Sequence, residues 1–193
     1  VKLKFSNMQL SCISALHSLK SLESLSLIEC VPNHSTVASD EMSRHISFVN
    51  SGVSSVTIKN SKRVWPFQRV TIDTCVSLRE VTIQVRDIDA SAVAPSVAID
   101  NCSALKSILV LYEHGTKTPP PSTVLVRRCP NITDLRVPSI PLDLLDPLPL
   151  LSSLHLANTI ECIVMLLVQE APFASRLTSL SLQGCDFGTC GSD

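Results

Sequence analysis

Aromatic side chains are rare in this chain of 193 residues: Phe, Trp and Tyr together make up 4% of it, with one Trp and one Tyr. Charged residues are also scarce at 17%, whereas 45% of the residues are hydrophobic, and this balance argues against disorder. Because rings are few, we expect a core of Val, Ile and Leu. The length suits one domain with a sizeable core, and we predict a single domain over residues 1–193, as part of a larger protein.

Several kinds of site lack the residues that they need. The five glycines are too scattered for a phosphate-binding loop. The net charge is −1, and basic clusters are too sparse for nucleic acid. The longest aliphatic run, Ile163 to Val168, falls short of the roughly 18–20 residues that span a bilayer. The five histidines have no Cys or His at metal-ligand spacing. We therefore predict no cofactor, no metal, no nucleic-acid partner and no transmembrane segment.

A constant offset relates three stretches in the middle of the chain. They begin at the equally spaced Val70, Val97 and Val124, and each has a cysteine at the same place within it, at Cys75, Cys102 and Cys129. Such self-similarity is typical of stacked units that bury their apolar edges against one another. The repeats are clearest over 67–137 and less regular over 1–60 and 138–193.

The pattern L-x-x-L-x-L, with aliphatic substitutions, occurs seven times. Its members are Leu22/Leu25/Leu27, Val53/Val56/Ile58, Leu78/Val81/Ile83, Leu105/Ile108/Val110, Ile132/Leu135/Val137, Leu151/Leu154/Leu156 and Leu177/Leu180/Leu182. The second and third apolar residues alternate as on one face of a short strand, and the first packs at the preceding bend. A second strand-like pair precedes each of the three middle copies, as Val70/Ile72 precedes Val81/Ile83. The distance between the two pairs is too short for a complete coil, so it predicts strands on both sides of each coil.

Nearly the whole chain resembles the leucine-rich repeat family. The stretch from Cys75 to Ile83 has the form C-x-x-L-x-x-L-x-L of the cysteine-containing repeats, and Cys129 to Asp134 is similar to their C-x-x-I-T-D segment. The repeats of microbial surface antigens are similar too. The resemblance implies a solenoid with a parallel β-sheet. Many members of the family have helix on the convex side, so the second strand pairs are a departure from its ordinary pattern. We therefore predict an α/β to mainly β solenoid with strands on both faces and few helices.

Four less regular segments carry predictions of their own. Residues 31–50 are predicted to be an irregular link, and the proline-containing stretch 113–122 a loop. Residues 138–149, with four prolines, predict a tight crossover. Residues 160–170 form the best helix candidate, ended by Ala171-Pro172.

Five of the eight cysteines each follow an apolar-x-apolar pair by three residues. They are Cys30, Cys75, Cys102, Cys129 and Cys185. A residue type tied to a repeated position is best explained as a small buried hydrophobe, so we predict structural thiols. Disulfides stay open as the alternative, including a Cys185–Cys190 bridge.

The predicted function is a non-catalytic scaffold for protein–protein interaction, as a structural subunit or domain of a larger assembly. The predicted binding face comprises Arg79, Glu80, Thr82, Lys106, Leu109, Leu111, Asp134, Arg136 and His155. The first alternative is a cell-surface or secreted repeat protein, with N-glycosylation sequons at Asn33, Asn101 and Asn131. The second, implied by the resemblance to cysteine-containing repeats, is a substrate-recognition adaptor of a ubiquitin ligase.

Two acidic residues lie at equivalent positions one repeat apart. Asp73 and Asp100 would be about 4.8 Å apart on neighbouring strands, close enough to share a proton as an acid/base pair. That arrangement would suit a carbohydrate-cleaving β-helix. We favour a simple consequence of the repeat, with Arg127 neutralising the row, and predict that the protein is not an enzyme.

Overall fold

The computed structural model describes residues 2–6, 9–10, 23–28, 31–32, 45–60, 69–86, 96–113, 124–138, 140, 145, 147–157 and 173–183. Within these ranges the chain forms fourteen strands and one short 3-10 helix, Ala174–Arg176. Every described strand pairing is parallel. The described part of the protein is therefore mainly β, with almost no helix and no closed sheet.

Two sheets contain most of the described strands. The larger consists of β1 (Lys2–Ser6), β3 (Ser24–Ile28), β6 (Ser55–Asn60), β8 (Glu80–Arg86), β10 (Ser107–Glu113), β12 (Asp134–Val137), β13 (Ser153–Ala157) and β14 (Ser179–Gln183), side by side in that order. The smaller consists of β5 (His45–Val49), β7 (Arg69–Asp73), β9 (Ser96–Asp100) and β11 (Val124–Arg127), also in chain order. A two-stranded sheet pairs β2 (Gln9–Leu10) with β4 (Val31–Pro32).

The pairing register equals the offset seen in the sequence. Ile108 lies opposite both Val81 and Leu135, and Val97 lies opposite both Val70 and Val124. From β5 to β12 the chain alternates between the smaller and the larger sheet. The prediction of a second strand before each middle copy of the motif is therefore confirmed. We call the chain between one strand of the larger sheet and the next a layer.

A single aliphatic core lies between the inward faces of the two sheets. Strands such as β9 bury alternate residues, here Val97 and Ile99, because successive side chains point to opposite faces. The bend positions predicted from the motif are buried as well: Val53, Leu78, Leu105, Ile132 and Leu151. Each fully buried Val, Ile or Leu contributes about 1.5–3 kcal/mol relative to exposure. Repeated over the layers, this burial is what holds the sheets together.

A left-handed residue follows each strand of the smaller sheet. These residues, with φ between 50° and 54°, are Asn50, Thr74, Asn101 and Arg128. Three of their N–H groups donate to carbonyl oxygens of the next layer at 3.1 Å: Asn50 to Asp73, Thr74 to Asp100 and Asn101 to Arg127. The left-handed conformation is unfavourable for residues that have a Cβ atom. The hydrogen bonds between layers offset this unfavourable energy.

Two predictions for the irregular segments have clear outcomes. The irregular link over 31–50 is wrong at two places. Residues 31–32 form β4, and residues 45–49 form β5, which buries Ile46 and Phe48 in the core. The crossover within 138–149 is confirmed in its described part, where turns bury Leu145 and Leu148. The layer from β12 to β13 is shorter than the layer before it. Asp134 pairs with Ser107 in the preceding layer and with Ser153 in the next, and Ser153 is the nearer of the two along the chain. The helix predicted over 160–170 and most of the loop over 113–122 lie outside the described residues.

Candidate functional site

The outward side of the larger sheet, which we call the outer face, brings most of the predicted binding residues together. Opposite one another on neighbouring strands lie Glu80, Ser107, Asp134, Ser153 and Ser179. A parallel row contains Thr82, Leu109, Arg136, His155 and Ser181, and Gln84 lies opposite Leu111. The side chains in these rows are half-buried or exposed, and those opposite one another are attached to strands about 4.8 Å apart. The result is a polar sheet surface with an aliphatic spot at Leu109 and Leu111.

Arg79 and Lys106 lie beside this face rather than on a strand. They occupy the position just before β8 and β10. The residues at this position that follow Glu23, which precedes β3, form what we call the corner row: Ser54, Arg79, Lys106, Thr133, Ser152 and Thr178. In each layer the backbone N–H at this position donates to the carbonyl of the preceding member at 2.8–3.1 Å, and that of Ser54 donates to Glu23 at 2.6 Å. The corner row is therefore one continuous ladder of backbone hydrogen bonds along the edge of the outer face.

The four hydroxyl members of the corner row also use their side chains internally. Thr133 Oγ1 donates to Lys106 O at 3.2 Å, Ser152 Oγ to Thr133 O at 3.2 Å, and Thr178 Oγ1 to Ser152 O at 3.0 Å. Ser54 Oγ donates in the same way to Glu23 O at 2.7 Å. A hydroxyl at this position thus strengthens the contact between layers.

An ion pair lies within the outer face. Arg136 Nε is 3.2 Å from Asp134 Oδ2, and the side chains are 53% and 33% exposed. Because the pair is open to solvent, its contribution to stability is small, at most about 1 kcal/mol. Its main effect is local: Asp134 already has a cationic partner.

Three free thiols form a buried row at the start of the short connections that lead from the smaller sheet to the larger one, whereas the corner row lies at the end of the same connections. Cys75, Cys102 and Cys129 are at most 1% exposed. Each Sγ donates to the carbonyl oxygen two residues earlier: 3.4 Å for Cys75, 3.2 Å for Cys102 and 3.0 Å for Cys129. Interaction with the side chains of Cys129 and Cys75, in which protonated Cys102 acts as the donor, raises the pKa of Cys102 far above its ordinary value, and burial adds to this effect. The prediction of buried structural thiols is confirmed for these three residues.

The remaining cysteine positions differ from those three. Cys30 and Cys185 lie outside the described residues, but the apolar pairs before them, Leu25/Leu27 and Leu180/Leu182, belong to β3 and β14 of the larger sheet. Cys75 instead follows a strand of the smaller sheet, so the same spacing in the sequence occurs in two structural settings. The true equivalent in the layer before Cys75 is Ser51, which is 4% exposed. This equivalence was missed in the sequence because the residue is serine rather than cysteine. Ser51 nevertheless follows the alternating pair Ile46/Phe48 with the same spacing as the cysteines.

The acidic pair is placed as expected but neutralised differently. Asp73 and Asp100 lie opposite each other in register. Asp100 binds Arg128 in a two-pronged contact, with Nε–Oδ1 at 2.8 Å and Nη2–Oδ2 at 2.5 Å. These bonds hold the pKa of Asp100 below its usual range. The main partner of Asp100 is therefore Arg128, whose left-handed backbone directs its guanidinium to the carboxylate, and the predicted Arg127 adds only a weaker charge effect.

A carboxylate held ionised in this way is poorly suited to exchanging a proton near neutral pH. Asp73 has a different neighbour, since its Oδ1 accepts a hydrogen bond from Thr74 Oγ1 at 2.9 Å. The two carboxylates thus have separate partners rather than a shared proton. The observed geometry favours a structural role for Asp100.

Two of the three sequon asparagines are described, and both are exposed. Asn101 Nδ2 donates to Thr74 Oγ1 at 3.4 Å, and Asn131 Nδ2 donates to Ser103 O at 2.6 Å. Asn33 lies outside the described residues. The side chains of Asn101 and Asn131 therefore point outward from the core, as a glycan would need.

Comparison with family models, with curated proteins and with solved structures found no match. In the described ranges, no group of three or more His, Cys, Asp or Glu side chains is arranged to hold a metal ion. No helix in that part of the chain has the length and apolar character to cross a membrane.

Proposed function

We propose that this chain is a leucine-rich-repeat solenoid that acts as a non-catalytic scaffold for protein–protein interaction, within a larger assembly. In the middle of the chain, strands of both sheets return to register after the same offset that relates Val70, Val97 and Val124, which is what stacked coils of constant length require. The bend and strand residues of each motif copy from Val53 to Leu156 are buried in one core. Both observations support the solenoid as the basis of the scaffold.

One observation carries the functional proposal: the outer face presents side chains of varied chemistry on a regular parallel sheet. Acidic, basic, hydroxyl, imidazole and aliphatic groups lie in registered rows across β8, β10, β12 and β13. Binding by such a surface relies on shape and on hydrogen bonds spread over many residues. The smaller sheet is the natural comparison, since Ala98 and Leu125 lie opposite each other on its outward side as a second aliphatic spot between charged residues.

The proposal is tested by quantitative crosslinking mass spectrometry in the native source. Tagged wild-type protein is compared with Leu109→Arg on the outer face and with Leu125→Arg on the outward side of the smaller sheet. Both leucines are half-buried strand residues, so the two substitutions are matched. We expect Leu109→Arg to lose the reproducible crosslinked partners and Leu125→Arg to keep them. Equal loss, or none, would count against the outer face as the binding surface.

The exposed asparagines favour a second candidate, a cell-surface or secreted repeat protein. A glycan at Asn131 leaves one N–H on Nδ2, so the hydrogen bond to Ser103 O is compatible with modification. The intact mass of the native protein, before and after enzymatic removal of N-glycans, tests this candidate. A mass loss that places glycans at Asn101 or Asn131 supports it, whereas unmodified asparagines throughout argue against it.

A further inference from the structure

The corner row contains two residues that do not fit its structural pattern. At Ser54, Thr133, Ser152 and Thr178, a short hydroxyl donates to a carbonyl of the preceding layer. At Arg79 and Lys106 the backbone hydrogen bonds are the same, at 2.8 and 2.9 Å, but the side chains are long exposed cations. The layer contact at these two positions thus lacks a hydroxyl donor that four other layers have. Departures from a local structural rule concentrate at functional sites.

Neither of these two cations forms an ion pair with another described residue. The ion pairs seen in the described ranges join Arg128 to Asp100 and Arg136 to Asp134, and neither includes Arg79 or Lys106. Asp134, on the strand next to Lys106, is thus already engaged. Glu80 begins β8 directly after Arg79 and offsets part of the charge, but two cations lie beside it. This edge of the outer face is therefore suited to receive negative charge.

An aliphatic surface lies a fixed distance from the cations. Leu109 is three residues after Lys106 on the same chain segment, about 10 Å away along an extended strand. Leu109 and Leu111 are half-buried, in rows that otherwise contain hydroxyl, amide, basic and imidazole groups. Arg79 and Lys106 themselves are attached to adjacent layers, whose backbones are about 4.8 Å apart.

We propose that Arg79 and Lys106, together with Leu109 and Leu111, bind an extended acidic segment of a partner protein that places an Asp or Glu between the two cations and an apolar side chain about 10 Å away. This inference rests on the proposed scaffold function and specifies its partner. Complementary charge determines which segment is accepted and speeds the encounter, while the leucines contribute apolar contact.

The test is selection of a phage-displayed random peptide library against the whole wild-type chain. Selected peptides are then measured against four variants, of which Leu109→Arg tests the outer face as a whole. Arg79→Glu/Lys106→Glu reverses the proposed charge, and Arg69→Glu/Arg127→Glu reverses two exposed cations of the smaller sheet as the matched control. Arg79→Thr/Lys106→Thr supplies the hydroxyl that the corner row otherwise contains. Thermal unfolding is recorded for each variant.

We expect the enriched peptides to combine an acidic with an apolar residue and to bind at least tenfold more weakly to both the double Glu and the double Thr variants. The control variant should bind as wild type. The double Thr variant should keep or raise its Tm, because each Thr gains a hydrogen bond between layers. Loss of binding with an intact or raised Tm is a result that a merely structural role would not produce.

Two outcomes would overturn the inference, and they separate it from the proposed function. In the first outcome, the peptides lose binding to Leu109→Arg but either lack acidic residues or bind the double Glu variant normally. That result would contradict an acidic partner but would still support the outer face as a binding surface. In the second outcome, no selected peptide is sensitive to Leu109→Arg, which would contradict both the acidic partner and the outer face as a binding surface.

Discussion

The short connections from the smaller to the larger sheet have a buried edge at the thiol row and an exposed edge at the corner row, and side chains at both donate hydrogen bonds to backbone carbonyls. At one edge the thiol row of Cys75, Cys102 and Cys129 lies in the core and donates to carbonyl oxygens. At the other, the hydroxyls of the corner row donate to carbonyls of the preceding layer from half-buried or exposed positions. Burial constrains side-chain size at the first edge, whereas solvent tolerates long cations at the second. The buried edge therefore repeats one residue type, and the exposed edge is free to vary.

A larger side chain is expected to destabilise the buried edge much more than the exposed edge, and this is the largest difference that we expect between them. Cys102→Leu inserts extra carbon atoms into a fully buried site between Cys75 and Cys129, and overpacking of this kind costs about 1–3 kcal/mol. Thr133→Leu adds a similar side chain at an exposed position and loses one hydrogen bond, at a cost below about 1 kcal/mol. Urea unfolding of both variants measures the difference. Equal destabilisation would show that the two edges are under the same packing constraint.

The conservative change at the buried edge provides the control. Cys102→Ser keeps the size and a donor to Asp100 O, and Ser51 shows that a buried hydroxyl is accommodated in the equivalent place. We therefore expect Cys102→Ser to be less destabilising than Cys102→Leu. The reverse order would contradict the explanation by volume.

The backbone of the thiol edge gives a second contrast. Asn101 has φ of 53°, a conformation that costs a residue with an ordinary Cβ about 1–2 kcal/mol and costs glycine little. Asn101→Ala should therefore lower the free energy of unfolding by about 1 kcal/mol, and Asn101→Gly should leave it nearly unchanged. Both variants remove the side-chain contact with Thr74, so their difference isolates the backbone. Urea unfolding checks it, and similar values would exclude strain at this corner.

The sequence predicts the buried parts of the fold better than the exposed ones. Val81, Ile108 and Leu135 could be placed on parallel strands because burial ties residue type to a constant offset along the chain. Strand β5 was missed because Ser51 replaces cysteine in its layer and removes the most visible part of the pattern. The corner row had no constant residue type, so its backbone ladder and the exceptional status of Arg79 and Lys106 emerged only from the hydrogen bonds.

No pattern in the sequence predicts the contact between Arg128 and Asp100 either. Alignment by period places Arg127 opposite Asp100, and it does lie there in register. The partner is nevertheless the next residue, because the chain turns into the left-handed conformation at Arg128. Periodicity predicts which strand residues meet, but a contact made by a corner side chain depends on the local backbone.

Removal of one hydroxyl from the exposed edge should have a smaller effect than these core and backbone changes. Thr133→Val keeps the branched shape but loses the bond from Oγ1 to Lys106 O, which is 3.2 Å long and open to solvent. We expect a loss near the lower end of the range for a hydrogen bond, about 0.5 kcal/mol. Urea unfolding measures it, with the half-buried Ser152→Ala as a companion. A loss as large as that of Cys102→Leu would mean that the exposed edge determines stability as much as the core.

The smallest expected effect concerns acid stability at the thiol edge. Arg128 holds the pKa of Asp100 below its usual range, so this carboxyl binds a proton more readily in the unfolded chain than in the folded one. Its contribution to stability is therefore complete above the unfolded pKa of about 3.9 and is lost as the pH falls through the lower folded value. Because the pair is largely exposed, Asp100→Asn should lower the Tm at pH 7 by no more than about 2 °C, and the gap from wild type should close in strong acid. Thermal unfolding between neutral pH and pH 2 measures that gap, with Asp134→Asn as the matched ion-pair control on the outer face. A gap that persisted in strong acid would mean that Asp100 stabilises this edge through packing or the shape of the corner rather than through its charge.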